Sequence, residues 1–227
     1  MSRVMTLYRS SVGKKVLMAI SGLILFGFIV GHMLGNLKVF QGQEAMDAYA
    51  LFLREVGYPV VPEYGLIWVA RIVLLGALLI HVQAAVTLWL SSRRARGQGY
   101  RKEDSQVFSY ASRTMRWGGV IILVFVIYHL LHLTTGTVHP DFEYGSAYAN
   151  LVIGFQSPFV VGFYLLAVGA LCVHLYHGLW SAFATLGSQN RRIEKVRRPL
   201  AVGIAWALFV GYAVVPLGVQ AGIVSLG

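Results

Sequence analysis

Residues 16–37, VLMAISGLILFGFIVGHMLGNL, follow the lysine pair Lys14-Lys15 and carry one ionisable side chain, His32. A helix needs about 20 apolar residues in a row to cross the hydrocarbon core of a bilayer. The basic stretch before the run looks like the start of a signal peptide. The apolar run is too long for one, however, and no small-residue cleavage site follows, so it reads as a retained span. Its bounds are roughly 15–38, and four more such runs lie at roughly 64–91, 115–137, 157–186 and 200–223.

Composition agrees. Of 227 residues, 57% are hydrophobic and only 12% charged, and mean hydropathy is +0.66. An ordinary soluble domain carries about 25% charged residues. This excludes a disordered chain, a collagen-like chain and an ordinary cytosolic enzyme. The expected fold is an all-α membrane protein with five transmembrane helices, residues 1–227 forming a single integral-membrane domain. The one cysteine, Cys172, permits no intrachain disulfide and no Cys-x-x-Cys pair. Cysteine-ligated iron–sulfur clusters and covalently attached c-type haem are thereby excluded from this chain.

The net charge of +10 follows a topological pattern. Arg3, Arg9, Lys14 and Lys15 precede the first span. Arg93, Arg94, Arg96, Arg101, Lys102, Arg113 and Arg116 lie around the second connection, and Arg191, Arg192, Lys195, Arg197 and Arg198 around the fourth. All of these fall on one side of a five-span chain, leaving Lys38, Arg54 and Arg71 for the other. The positive-inside rule places the N-terminus in the cytoplasm and the C-terminus outside. The basic loops need no nucleic-acid partner; they face water and membrane lipid. In the 39–63 connection, apolar residues recur at helical spacing over residues 43–54, which predicts a short interfacial helix, with Pro59 and Pro62 introducing span two.

Of seven histidines, His139 lies in an outer loop beside Pro140, and six lie inside spans: His32, His81, His129, His132, His174 and His177. An ionisable residue in a span usually faces the bundle interior and marks a functional site. A single one is readily explained by a hydrogen bond between helices; at least one on each of four consecutive spans is not. Four inward imidazoles make two bis-histidine pairs, which suits two b-type haems. Depth allows a pairing. His32 lies about 25 Å past Lys15 and His129 about 24 Å past Arg113, while His81 and His174 each lie about 18 Å from the cytoplasmic ends of their spans. An outer pair of His32 with His129 and an inner pair of His81 with His174 follow. This ruler does not separate His129 from His132, or His174 from His177. A zinc or di-iron site needs carboxylates nearby, and no aspartate or glutamate falls in the core of a span. Gly27, Gly31 and Gly35, spaced by four beside His32, fit either a packed cofactor or close helix packing. Trp68, Trp89, Tyr100, Trp117 and Trp180 read as interface anchors.

These residues resemble a family. Gly31-His32-Met33-Leu34-Gly35-Asn36, Ile80-His81-Val82, Phe125-Val126-Ile127-Tyr128-His129 and, above all, Phe163-Tyr164 through His174-Leu175-Tyr176-His177-Gly178-Leu179-Trp180-Ser181 look like the di-haem cytochrome b membrane anchor of succinate dehydrogenase and quinol:fumarate reductase, of the single-anchor five-helix type. The resemblance covers nearly the whole chain. It implies a bundle whose first four spans enclose two haem b groups, with His32, His81, His129 and His174 as axial ligands to the haem iron. It also implies an iron–sulfur subunit and a flavoprotein subunit on the cytoplasmic face, which hold the FAD and iron–sulfur clusters, and a membrane quinone as substrate. The setting would be the bacterial cytoplasmic membrane, in the respiratory chain and tricarboxylic acid cycle, with no succinate-oxidising activity in this chain alone.

His132 and His177 are then spare and become candidate contacts to a haem propionate or a quinone. Arg71 is a candidate for the outer propionates, and Arg113 and Arg116 for the inner ones. Ser21, Trp117 and His177 mark a candidate inner quinone site, and Glu55 and Glu63 candidate proton acceptors outside. Two alternatives differ from this reading. A hydrogenase or formate dehydrogenase cytochrome b has four core spans and another histidine placement. A transporter or structural anchor with a histidine proton relay should show inward carboxylates or broken spans.

Overall fold

A computed structural model of the chain describes residues 10–94, 106–185 and 191–226. Among them the secondary structure is helical throughout, with no strand. Helix α1 spans Ser11–Asn36 and runs into a 3-10 turn, Leu37–Gln41; α2 spans Gln43–Glu55, α3 Gly65–Arg94, α4 Gln106–Leu133, α5 Ala147–Gly154, α6 Pro158–Thr185 and α7 Arg191–Gln220. Five of these, α1, α3, α4, α6 and α7, are long and apolar enough to cross a membrane. Hydrocarbon offers backbone amides no water, so each span keeps its own hydrogen-bond ladder. The predicted interfacial helix over 43–54 is present as α2.

Local chemistry sets the ends. Ser10 caps α1, its hydroxyl accepting from the Gly13 N–H at 2.9 Å, which satisfies one of the orphan donors of the first turn. Helix α4 stops at Leu133, short of the expected 137, and Gly136 then turns the chain at φ +73°, where a Cβ would run into Phe142. Helix α7 stops at Gln220 and not at 223. Gly222, at φ +70°, closes it, with the Ile223 N–H donating back to the Gly218 carbonyl at 2.9 Å; this is a glycine-terminated helix end. At its other end α7 begins at Arg191, well before the expected 200, and carries Pro199 inside it. Arginine and lysine are good helix formers, so the helix extends through the basic segment before the apolar one.

Helices α1 and α3 pack closely along one seam, α4 and α6 along another, and α7 covers α6 and part of α1. Small buried residues make the first seam, Ala19 and Ser21 from α1 with Ala77 and Ala84 from α3, as close helix approach in a membrane requires. Val168, Cys172, Leu175, Ala205 and Leu208 pack α6 against α7.

The non-basic end of the bundle carries a folded cap. Helix α5 lies in a connection read as a loop, and buries Tyr148, Leu151 and Val152 with Val39, Met46, Val215 and Val219. The Tyr148 N–H donates to Asp47 Oδ1 at 3.0 Å, and its hydroxyl to the Ser225 carbonyl at 3.0 Å. Gln220 Nε2 donates to the Phe155 and Gln156 carbonyls at 2.7 and 2.9 Å. The 39–63 connection, α5 and the C-terminal segment are therefore one unit. At the basic end α6 meets α7 differently: the guanidinium groups of Arg197 and Arg198 lie 5.3 and 5.4 Å from the Trp180 ring centre, a cation–π arrangement.

Replacing Asp47 with alanine leaves the Tyr148 N–H without its charged acceptor. The loss should be about 1–3 kcal/mol, seen as a lower thermal midpoint in detergent, with Asp47→Asn close to wild type.

Candidate functional site: paired histidines in the bundle

The side chains that meet inside the bundle come from helices that do not share its main seams. His32 on α1 faces His129 on α4 with ring centres 5.8 Å apart and planes at 78°. His81 on α3 faces His174 on α6 at 6.2 Å and 63°. Neither α1 with α4 nor α3 with α6 is a closely packed helix pair among the described residues. The imidazoles reach towards each other across the space between the two seams. The structure thus brings together the pairs that the depth ruler gave.

Each ring is held by its own surroundings. His32 stacks on Phe28 at 5.3 Å and His129 on Phe125 at 5.7 Å; each aromatic lies one helical turn earlier, where i and i+4 side chains meet. His81 Nδ1 lies 3.1 Å from the Met18 carbonyl and 3.4 Å from Ser21 Oγ. A carbonyl only accepts, so His81 carries its hydrogen on Nδ1 and keeps the Nε2 lone pair bare. Metal-ligating histidines are commonly held in this way, the second nitrogen donating to a backbone carbonyl. His174 Nδ1 is buried and has no hydrogen-bond partner among the described residues. Ser21, which touches His81, precedes His32 by about 16 Å along α1 at 1.5 Å per residue. The two pairs are therefore separate sites stacked along the bundle, His32/His129 nearer the cap.

The residues fit the group that the resemblance implies. Two imidazoles sharing one metal through bonds of about 2 Å place their nitrogens about 4 Å apart and their ring centres about 6 Å apart. Both pairs meet that spacing, and His81 presents the required tautomer. No group of three or more potential ligands occurs among the described residues, so each site offers two imidazoles. Gly27 and Gly31 lend no support to close helix packing, because a Cβ on either would meet nothing within 4 Å. Gly35 does serve packing: a Cβ there would sit 2.9 Å from the Tyr49 ring.

The remaining candidates lie elsewhere. His132 is 1% exposed and its Nδ1 lies 2.9 Å from Tyr164 Oη. His177 donates from Nδ1 to the Val173 carbonyl of its own helix at 3.0 Å. Arg71 is exposed, its guanidinium 4.9 Å from the Trp68 ring centre. Arg116 is exposed, and the side chain of Arg113 lies outside the described residues. Ser21 donates to the Leu17 carbonyl at 2.7 Å, Trp117 is exposed, and no hydrogen bond or ring contact joins Ser21, Trp117 and His177 among the described residues. Tyr100 lies outside the described residues.

Sequence reasoning missed three participants. Tyr164 bridges His129 and His132, and its signal is a phenol inside a span, which needs a polar partner. The Met18 carbonyl leaves no sequence signal. His139 lies not in an idle loop but 5.1 Å from the His132 ring centre, its Nε2 donating to the Asn150 carbonyl at 2.8 Å.

No family model, curated protein or solved structure matches this chain.

A Cβ on Gly22 would sit 3.1 Å from His81 Cε1. Gly22→Val should push that ring off the Met18 carbonyl and, if each histidine pair holds one haem, lower bound haem per chain to about half. Gly76→Ala, on the same helix as His81 and facing open space, should leave haem content unchanged.

Proposed function

We propose that the chain is the haem-b-binding membrane anchor of a succinate:quinone oxidoreductase, with the N-terminus and basic loops in the cytoplasm. The observation that carries this is the spacing of two imidazole pairs, 5.8 and 6.2 Å between ring centres, drawn from four different spans. The resemblance adds the family, and the distribution of lysine and arginine adds the orientation.

When bound, haem b supplies one-electron couples inside the bilayer, between cytoplasmic-side iron–sulfur and flavoprotein subunits and a membrane quinone. The chain's own residues do the rest. His32 with His129, and His81 with His174, would hold the haem iron. The Met18 carbonyl fixes the tautomer of His81, and Phe28 and Phe125 stack against the rings of the other pair. The basic loops, with Arg93 and Arg94 at one edge, offer positive charge to the partner subunits. Arg71, Arg113 and Arg116 remain the candidates for haem propionates, and His132 and His177 for propionate or quinone. Both physiological directions, succinate oxidation and fumarate reduction, use this arrangement. A proton relay through the same histidines is less well supported, because no hydrogen bond joins the two pairs among the described residues.

The test is a dithionite-reduced minus oxidised spectrum of the chain purified from its native membrane, with haem quantified. About two b-type haems per chain are expected. His81→Ala or His174→Ala should each remove one haem and leave the other; His32→Ala or His129→Ala should remove the second. Both haems surviving any of these replacements would refute the pairing, and a wild-type chain free of haem would end the cytochrome reading. The orientation has its own check. In a Cys172→Ser background, Tyr144→Cys should react with a membrane-impermeant maleimide added outside intact cells, and Arg94→Cys only after the membrane is opened.

A further inference from the structure

Tyr164 stands between two histidines of α4. Its Oη lies 3.3 Å from Nδ1 of His129 and 2.9 Å from Nδ1 of His132. The phenol ring is buried and wedged edge-on by Phe125, Tyr128 and Phe155, with ring centres 5.0, 6.1 and 4.8 Å away. Its hydroxyl is therefore held in place.

A phenol has one hydrogen to give. Tyr164 can donate to only one of the two nitrogens, so the other contact is donated by an imidazole N–H. A 2.9 Å contact suits either a hydroxyl or a ring N–H as donor, so the ligand role proposed for His129 chooses between the two arrangements, because it needs the hydrogen on Nδ1 and Nε2 bare. The 2.9 Å contact is then Tyr164 O–H donating to His132, and the 3.3 Å contact is His129 N–H donating to Tyr164. With its hydrogen on Nδ1, His129 keeps the Nε2 lone pair that a metal ligand needs. The reverse order would place a hydrogen on Nε2 and disable it.

We infer that Tyr164 is the positioning residue of the His32/His129 pair: it fixes the tautomer of His129, and His132 secures it by taking the hydroxyl hydrogen. This rests on the haem reading above. The other pair uses a different device for the same task, the Met18 carbonyl on His81. Loss of the Tyr164 hydroxyl should therefore touch one haem and spare the other.

An acceptor on Nδ1–H makes the opposite nitrogen a stronger donor to iron, which favours the ferric state. In Tyr164→Phe, two haems should remain bound, and the midpoint potential of one should rise. At fixed potential the reduced-to-oxidised ratio of that haem would increase severalfold, a factor of ten corresponding to about 59 mV for a one-electron couple. The second haem should titrate as in wild type. His132→Leu, which leaves the hydroxyl without an acceptor, should move the same haem. His132→Gln, which restores a side-chain acceptor, should bring it back towards the wild-type value.

Loss of the His32/His129 haem alone in Tyr164→Phe would support the inference as the extreme of the same effect. Unchanged potentials in Tyr164→Phe, or equal shifts of both haems, would overturn it while leaving the function intact. If Tyr164→Phe loses both haems, the His132 pair of variants decides: identical potentials in wild type, His132→Leu and His132→Gln would overturn it. A wild-type chain without haem would overturn both readings together.

Discussion

Hydrocarbon offers no water to a backbone amide, so each span here must be a helix, and it offers none to an imidazole, so each intramembrane histidine must turn to a neighbour. The second requirement organises the bundle. Helices α1 and α3 form one closely packed layer and α4 and α6 another. The histidines do not support those seams. His32 reaches from α1 to His129 on α4, and His81 from α3 to His174 on α6. Each pair bridges one layer to the other, and an iron ligated within each pair would complete the connection.

The rest of the chain holds the two layers in register. At the non-basic end the cap joins α2, α5 and the C-terminal segment through Tyr148, Asp47 and Gln220, over a core of Val39, Met46, Leu151 and Val152. At the basic end, Trp180 lies under two arginines of α7. Helix α7 carries no histidine and lies against α6 and α1, one helix from each layer. Tyr212 on α7 donates to the Ile29 carbonyl at 2.6 Å, close in sequence to His32. The fifth span thus acts as a brace for the histidine-bearing four.

The spans and the pairing of histidines were legible in the sequence for one reason. Apolar runs fix which segments cross, crossing alternates direction, and a rise of 1.5 Å per residue turns residue numbers into depth. The ruler fails where two histidines share a helix one turn apart, as His129 and His132 do; in the structure it is the His129 ring that faces His32. Helix α5 was hidden because eight residues, AYANLVIG, are too few for a helical period to emerge from an apolar run. The start of α7 was hidden because a charge boundary is not a helix boundary. The Met18 carbonyl was out of reach altogether, since every residue has a backbone oxygen and only packing decides which one a ring meets.

Four histidines of one chemical kind still make two unlike sites. His81 gives its Nδ1 hydrogen to a carbonyl at 3.1 Å, in the small-residue seam between α1 and α3. A carbonyl cannot pass that bond on, so the polarity stops there. His129 meets a hydroxyl that is itself bonded to His132, whose ring lies beside His139, which reaches the Asn150 carbonyl of the cap. The hydrogen-bonded run here covers His129, Tyr164 and His132 and ends there, because His132 Nε2 has no hydrogen-bond partner among the described residues. Hydrogen bonds in series polarise one another, so on the proposed function the two pairs would differ in donor strength even with identical ligands. On the proposed function, two electron carriers of different potential would share the same kind of ligand and differ in what stands behind it, a backbone oxygen at one pair and a tyrosine at the other.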